Sequence, residues 1–458
     1  MIDFSEIVER THKVIERIKR INESHHYFNY ISEDLAITQA EKLKRNPHGK
    51  LAGIYVSVKD NICVKGIPSQ AGSAILDGYR PVFNATAVQR AIDEGAIIIG
   101  KTSQDEFGFG TFSTNTGKGF RHPVNPFDHE RAAGGSSGGS AGITALADFP
   151  HISLGESTGG SIAAPASFCG VVGLTPTYGR ISRYGLIDYA SSLDKIGPMA
   201  KTVEEAALML EVVSGHDMKD STSIDAPVDD YVSYAGKSIS GMKVGIIKEA
   251  FGKGVSPEVE DAVRAGISRL SDAGAQISEI SLPFTSRHCL SSYYILAMCE
   301  ASTNLAKFCG MRYGAHAPLE GNFNSYFSKV RSENLGEEAK RRIILGTFAR
   351  MSGFRDAYYM KAMKVRTLII NEYKKALQGI DALVCPTMPI LPPKFSEIGK
   401  LSPLQNYMMD IMTVGPNLAG LPHISVAAGR VGKLPVGMML VADHLEEKKL
   451  ITLGSVLQ

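Results

Sequence analysis

The sequence predicts an α/β protein built on one large sheet. Three observations carry this: strand-like and helix-like segments alternate from end to end, no linker-like stretch separates two halves, and 44% of the 458 residues are hydrophobic against 21% charged, a globular balance. From the N-terminus, Ile2, Ile7, Val8, Val14, Ile15, Ile18 and Ile21 recur at helical spacing among charges, predicting an amphipathic helix over 2–22. "LAGIYVSVKDNI" (51–62) is β-branched and alternating, so a strand leads into Lys59. "TAVQRAIDEGAIIIGKTS" reads as a helix followed by a short buried strand, Ala96–Ile99. "HISLGES" and "MKVGIIKEA" are further strands, and 203–214 and 256–273 further helices. Long helical stretches follow around 337–349 and 355–378, then the strands "DALVCPT", "HISVAAG" and "LPVGMMLVA". The charged stretch 216–240 is expected as a surface loop inside a single domain covering 1–458, opened by a helical segment over about 1–45. No internal repeat occurs.

Composition narrows the function. A formal charge of +2, from 49 basic and 47 acidic residues, argues against a stand-alone nucleic-acid binder and leaves room for RNA contact through a partner. The cysteines (Cys63, Cys169, Cys289, Cys299, Cys309 and Cys385) include no CxxC pair, so neither a zinc ribbon nor a thioredoxin-type site is encoded, and scattered thiols fit a reducing compartment. The charged N-terminus lacks the apolar core of a signal peptide, and no apolar run approaches the roughly 20 residues of a membrane span. A soluble, cytoplasmic protein is expected.

The chemistry concentrates in "ERAAGGSSGGSAGITALADFPHISLGESTGGSIAAPASFCG", beginning at Glu130. A flexible linker would have polar flanks, whereas Ala141–Ala147 forms helix and "ISLG" a buried strand. A phosphate loop needs GxxxxGK[ST], and no lysine follows these glycines. Gly134-x-Ser136-x-Gly138 matches a nucleophile elbow, but the preceding "NPFDHERAA" does not read as the strand an elbow requires. The fourth reading takes two serine loops together. Glycines around Ser136 and Ser161 let the backbone approach a ligand, and Thr158-Gly159-Gly160-Ser161 leads into a helix start, where successive N–H groups can stabilise an oxyanion. Such a serine needs a base, and Lys59 is a candidate if burial favours its neutral amine; alone it reads as a surface lysine, with Asp60 beside it as a salt-bridge partner.

"GGSSGGSA" followed by "TGGSIAAPASFCGVVGLTPTYGRISRYG" resembles the amidase signature family. "RYGLIDYASSLDKIGPMAKTVEEAALML", "YYILAMCEASTNLAKF", "RRIILGTFARMSGF", "YMKAMKVRTLI" and "NLAGLPHISV" extend the likeness over roughly 50 to 445, towards the family's A subunits of tRNA-dependent amidotransferases. The resemblance implies a large mixed sheet flanked by helices on both faces, with a signature core over about 50–215. It implies a lysine–serine–serine triad of Lys59, Ser136 and Ser161: Ser161 attacks the side-chain amide of glutamine, and Ser136, after a cis peptide bond, relays the proton to neutral Lys59. The γ-glutamyl ester is then hydrolysed, with the N–H groups of Thr158, Gly159, Gly160 and Ser161 as oxyanion hole. Arg342 would clamp the α-carboxylate, Asp410 take the α-ammonium and Tyr293 line the pocket. The chain would need no metal or cofactor of its own. Ammonia would pass to a B subunit, which uses ATP and Mg²⁺ and binds most of the misacylated tRNA, with a C subunit completing a heterotrimer.

Several positions depart from the family pattern. Ser157 stands where an aspartate is expected and Ala163 where its arginine partner is, so their joint change leaves no orphan charge. Ser136 and Ser161 lie 25 positions apart, one more than expected; Lys195 replaces a glutamine, and "STNTG" departs from "STENS". The rival readings are a free-standing amidase for a small amide, which would not need Arg342 and Asp410, and a catalytically silent scaffold, against which the intact Lys59, Ser136 and Ser161 speak.

Overall fold

A computed structural model describes residues 3–458. Thirteen strands form in chain order: β1 (Phe28–Ile31), β2 (Tyr55–Lys59), β3 (Ile97–Thr102), β4 (Val124–Asn125), β5 (Asp128–Ala132), β6 (His151–Ser157), β7 (Val172–Thr175), β8 (Lys195–Ala200), β9 (Lys243–Ile247), β10 (Gln276–Ile280), β11 (Ala382–Pro386), β12 (His423–Val431) and β13 (Leu434–Val441). Eleven pair into one sheet in the order β1-β3-β2-β6-β8-β7-β12-β13-β11-β9-β10, and β4 and β5 form a separate ribbon. The sheet is mixed: β2 runs parallel to both β3 and β6, and β9 to β10 and β11, while the remaining pairs are antiparallel.

Helices cover both faces, so successive strand residues enter different cores. Ile97 and Ile99 pack against the N-terminal helices, and Ile98 joins the cluster on the opposite face. In β13, Met438 and Leu440 join that cluster, whereas Met439 and Val441 pack under the helices Pro283–Asn304 and Lys361–Ala376. A sheet buried on both faces is why these strands read as continuous apolar runs.

The helix Ile7–His25 buries Ile7, Val14, Ile15, Ile18 and Ile21 and leaves Val8 half-buried; Ile2 lies outside the described residues. The helix Val203–Val213 begins at a capping box in which the Thr202 side chain and Glu205 exchange bonds with each other's backbone. No helix among the described residues is long and apolar enough to cross a membrane, and all six cysteines are free.

Two local expectations need correction, and a third holds with a refinement. Strand β3 continues past Ile99 to Thr102 because Lys101, which looks like a terminator, is buried with its ammonium donating to the Ser69 hydroxyl at 2.9 Å and to the Asp60 carbonyl at 3.2 Å. The segment "NPFDHERAA" does contain strand: β5 pairs with β4 as a surface ribbon whose charges mask it. The stretch 216–240 is mostly loop, yet firmly held: Arg180 donates to the buried Tyr231 hydroxyl (2.8 Å) and to the carbonyls of Ala226 and Pro227 (3.2 and 2.7 Å).

Candidate active site

Lys59 is the last residue of β2 and Ser157 the last of β6, and these parallel neighbours deliver their C-terminal ends to one place. Crevices at such strand ends are the usual ligand sites of α/β sheets. Ser136 precedes the helix Gly138–Leu146, and Ser161 precedes the helix Ala163–Cys169. The Gly135–Ser136 peptide bond is cis. Gly135 admits no side chain, because a Cβ there would lie 2.3 Å from Asp105 Oδ2 and 2.6 Å from the Ser113 nitrogen. The two serine loops are joined by the Ser137 N–H donating to the Ser161 carbonyl at 3.2 Å.

Lys59 is fully buried. Its Nζ donates to Ser136 Oγ at 2.7 Å, to the Glu156 carbonyl at 2.8 Å and to Glu156 Oε2 at 2.9 Å. Three acceptors match the three N–H bonds of an ammonium. The charge partner of Lys59 is thus Glu156 and not Asp60, whose carboxylate turns instead to the N–H groups of Gln70 (3.2 Å) and Gly72 (2.9 Å). Ser161 is 7% exposed. Among the described residues, the N–H groups of Thr158, Gly159, Gly160 and Ser161 donate to no protein acceptor.

Of the residues assigned to substrate, Tyr293 and Asp410 reach this loop, and Arg342 lies over Tyr294, which donates to Asp410. Tyr293 packs on Gly159 so tightly that a Cβ there would lie 2.8 Å from the Tyr293 hydroxyl. Asp410 opens a turn in which Thr413 Oγ1 donates to the Asp410 carbonyl at 3.2 Å, and Thr413 lies against Gly160. The Asp410 carboxylate is buried, accepts from the Tyr294 hydroxyl at 2.5 Å and the Thr111 hydroxyl at 3.0 Å, and forms no ion pair among the described residues. Burial pushes its pKa up. Arg342 is also buried; Nε donates to Glu338 at 2.8 Å and Nη1 to the Tyr189 hydroxyl at 2.6 Å, while Nη2 has no acceptor among the described residues. Its guanidinium lies 5.1–5.6 Å from the ring centres of Phe109, Tyr189, Tyr294 and Tyr407. An open cavity of about 570 Å³ reaches Arg342 and Thr111 but not Lys59, Ser136 or Ser161.

Sequence reasoning missed Glu156, Asp194, Glu338 and Tyr294. For Glu156 the signal was present: a carboxylate inside the otherwise apolar "HISLGES" needs a buried cation. Of the departures, the Ser157 hydroxyl turns back to the Gly159 carbonyl at 3.0 Å and Ala163 joins an apolar cluster, so neither leaves a charge behind. Lys195 lies opposite Ser157 across the sheet, buried, with Nζ donating to the Leu421 carbonyl at 2.9 Å; burial pushes its pKa down to about 7. The unfolded chain then holds this proton up to about pH 10.5, so stability is lost as pH falls from 10.5 towards 7. Lys195→Gln is expected to raise the unfolding temperature at pH 7 and to flatten that slope, as thermal unfolding across the same pH range checks.

The sequence profile of the amidase family matches residues 9–451. The chain is 44% identical to the A subunit of the glutamyl-tRNA(Gln) amidotransferase of a Cyanothece species, over 96% of this chain and 91% of that protein. It is 47% identical to the corresponding A subunit from Methanosarcina mazei, over 91% and 87% respectively. Among solved structures, the glutamyl-tRNA(Gln) amidotransferase A subunit from Thermotoga maritima superposes with a TM-score of 0.80 at 34% identity, covering 98% of this chain and 90% of that one. A peptide amidase of Stenotrophomonas maltophilia gives 0.80 at 26% identity, covering 100% and 93%.

Proposed function

The chain belongs to the amidase family, among the amidotransferase A subunits, and from that premise we propose that it is a glutaminase feeding ammonia to a partner subunit. Ser161 attacks the side-chain carbonyl carbon of glutamine while Ser136 takes its proton and passes its own to Lys59. The oxyanion is met by the N–H groups of residues 158–161, and the proton returns through Ser136 so that the amide nitrogen leaves as ammonia. Water then opens the γ-glutamyl ester on Ser161 by the same relay, releasing glutamate. The ammonia goes to a B subunit that uses ATP and Mg²⁺ to amidate Glu-tRNA(Gln) or Asp-tRNA(Asn), with a C subunit completing a cytoplasmic heterotrimer; this chain supplies no cofactor. The whole of 1–458 acts as one domain in this reading.

The observation that carries the choice of glutamine is the joint presence of a buried Asp410 and a buried Arg342, linked through Tyr294. A buried carboxylate held only by hydroxyls suits an α-ammonium, and a buried guanidinium with one nitrogen free beside a cavity suits an α-carboxylate. A small amide carries neither charge. The test is glutamate release from glutamine by the chain in complex with B and C subunits, beside hydrolysis of a simple aliphatic amide. Asp410→Asn is expected to lower kcat/KM for glutamine by about 10²–10³-fold, chiefly through KM, because the substrate ammonium is left buried without its counter-charge. Turnover of the simple amide with none of glutamine would make the chain a free-standing amidase instead.

A further inference from the structure

Glu156 and Ser157 are the last two residues of β6. Successive side chains on a strand point to opposite faces. Glu156 therefore turns its carboxylate onto Lys59, on the face opposite Ser157. Glu156 Oε2 accepts from Lys59 Nζ at 2.9 Å and from Asn61 Nδ2 at 3.0 Å; Oε1 lies 3.0 Å from Thr158 Oγ1. The same Thr158 hydroxyl lies 2.8 Å from Asp194 Oδ1. Asp194 also accepts the N–H groups of Tyr189 and Ala190, at 2.9 and 3.0 Å. All of these side chains are fully or almost fully buried.

A hydroxyl has one proton to donate. Thr158 can donate to one of the two carboxyl groups, and the other must donate to Thr158, so one of the two acids is protonated. Glu156 lies 2.9 Å from Lys59 Nζ, whereas among the described residues Asp194 is hydrogen-bonded only to the Thr158 hydroxyl and to main-chain N–H groups. Burial and the neighbouring Glu156 charge push the Asp194 acid well above the usual carboxylate range. The resulting chain is directional: the Asp194 acid donates to Thr158, Thr158 to Glu156, and Lys59 to both Glu156 and Ser136. The other acids nearby are Asp105, which accepts the N–H groups of Ser113 and Asn115 within the field of Lys59, and Asp188 on the segment before Asp194. Neither is hydrogen-bonded to Glu156 among the described residues.

We propose that Glu156 is a positioning residue that turns Lys59 into a base by holding its proton, and that Asp194, kept as the protonated acid through Thr158, leaves Glu156 free to do so. The inference rests on Lys59 acting as the base for Ser136. One proton moves from Lys59 Nζ to Glu156 Oε2 along their hydrogen bond, giving amine and carboxylic acid with no change in total charge. The amine then takes the Ser136 proton as Ser136 takes that of Ser161. The positive charge so formed balances the oxyanion on the substrate, and both are discharged when ammonia leaves and Glu156 gives the proton back.

The test uses the complex with B and C subunits and labelling of Ser161 by a fluorophosphonate, which requires no glutamine, with Ser161→Ala as blank. Glu156→Gln is expected to move the acid limb of the labelling rate to higher pH by about one unit or more, since Lys59 must then lose its proton to solvent before it can accept that of Ser136. Asp194→Asn, whose amide can donate to Thr158 as the protonated acid does, is expected to leave that limb in place. It should also remove one protonated-carboxyl band, read from the wild-type minus Asp194→Asn infrared difference spectrum. A limb in Glu156→Gln that stays in place or moves to lower pH, a limb that moves in Asp194→Asn, or a wild-type minus Asp194→Asn infrared difference spectrum without a protonated-acid band would each overturn the proposal. If Glu156→Gln does not fold, the band and the Asp194→Asn profile decide. Wild type that labels normally but ignores glutamine would sink the glutaminase reading and leave this one standing.

Discussion

Ser161→Ala is expected to lower glutamate release by about 10⁴-fold or more, with the unfolding free energy changed by less than about 1 kcal/mol. Without Oγ no γ-glutamyl ester forms, and the remaining N–H donors can only orient water near a bound amide, which leaves a small residual rate. Folding should be indifferent. The Ser161 carbonyl, which ties its loop to Ser137, belongs to the main chain, and the hydroxyl donates to no protein group among the described residues. Glutamate release and thermal unfolding, measured on the same preparations, check both halves. Residual activity within tenfold of wild type would move the nucleophile elsewhere; lost activity with lost stability would mean the loop, not the hydroxyl, had been probed.

Lys59→Met is expected to abolish activity as well, but with a large cost in stability. Lys59 and Glu156 are 0% and 1% exposed at the side chain and 2.9 Å apart. Removing the cation leaves a buried carboxylate unpaired, which costs about 3–5 kcal/mol. A double variant, Lys59→Met with Glu156→Gln, should recover most of that stability and none of the activity, because it removes the orphan charge without restoring a base. Denaturant unfolding of the two variants and wild type forms the comparison. Equal losses in the single and double variants would assign the cost to packing and not to charge.

The parts of this site legible along the chain were those with local signatures. Alternation in "IYVSVK" placed Lys59 at a strand end, and β2 ends there. Glycines around Ser136 and Ser161 marked close backbone approach, which Gly135 and Gly159 show by admitting no Cβ. The hairpin before Ser136 was hidden because a two-stranded surface ribbon carries charges on both faces. Lys101 hid the end of β3 because nothing local announces the hydroxyl and carbonyls that receive its ammonium. Arg342 beside Arg341 reads alone as a solvated helix face; its burial, with Glu338 one turn before it, comes with Tyr189 and Tyr407, which lie far away in sequence.

The α/β class, the residue types available for acyl transfer, and the departures at positions 157, 163 and 195 are legible along the chain. Each is written in a short window, in hydrophobic period, glycine placement or motif identity. Long-range packing sets β2 beside β6, brings Lys59 to a carboxylate 97 positions away, and joins Asp194 to it through a single hydroxyl. Period two tells which residues share a face of a strand, but the neighbour across that face is chosen by long-range pairing and burial, and the protonation of a buried acid follows from that neighbour.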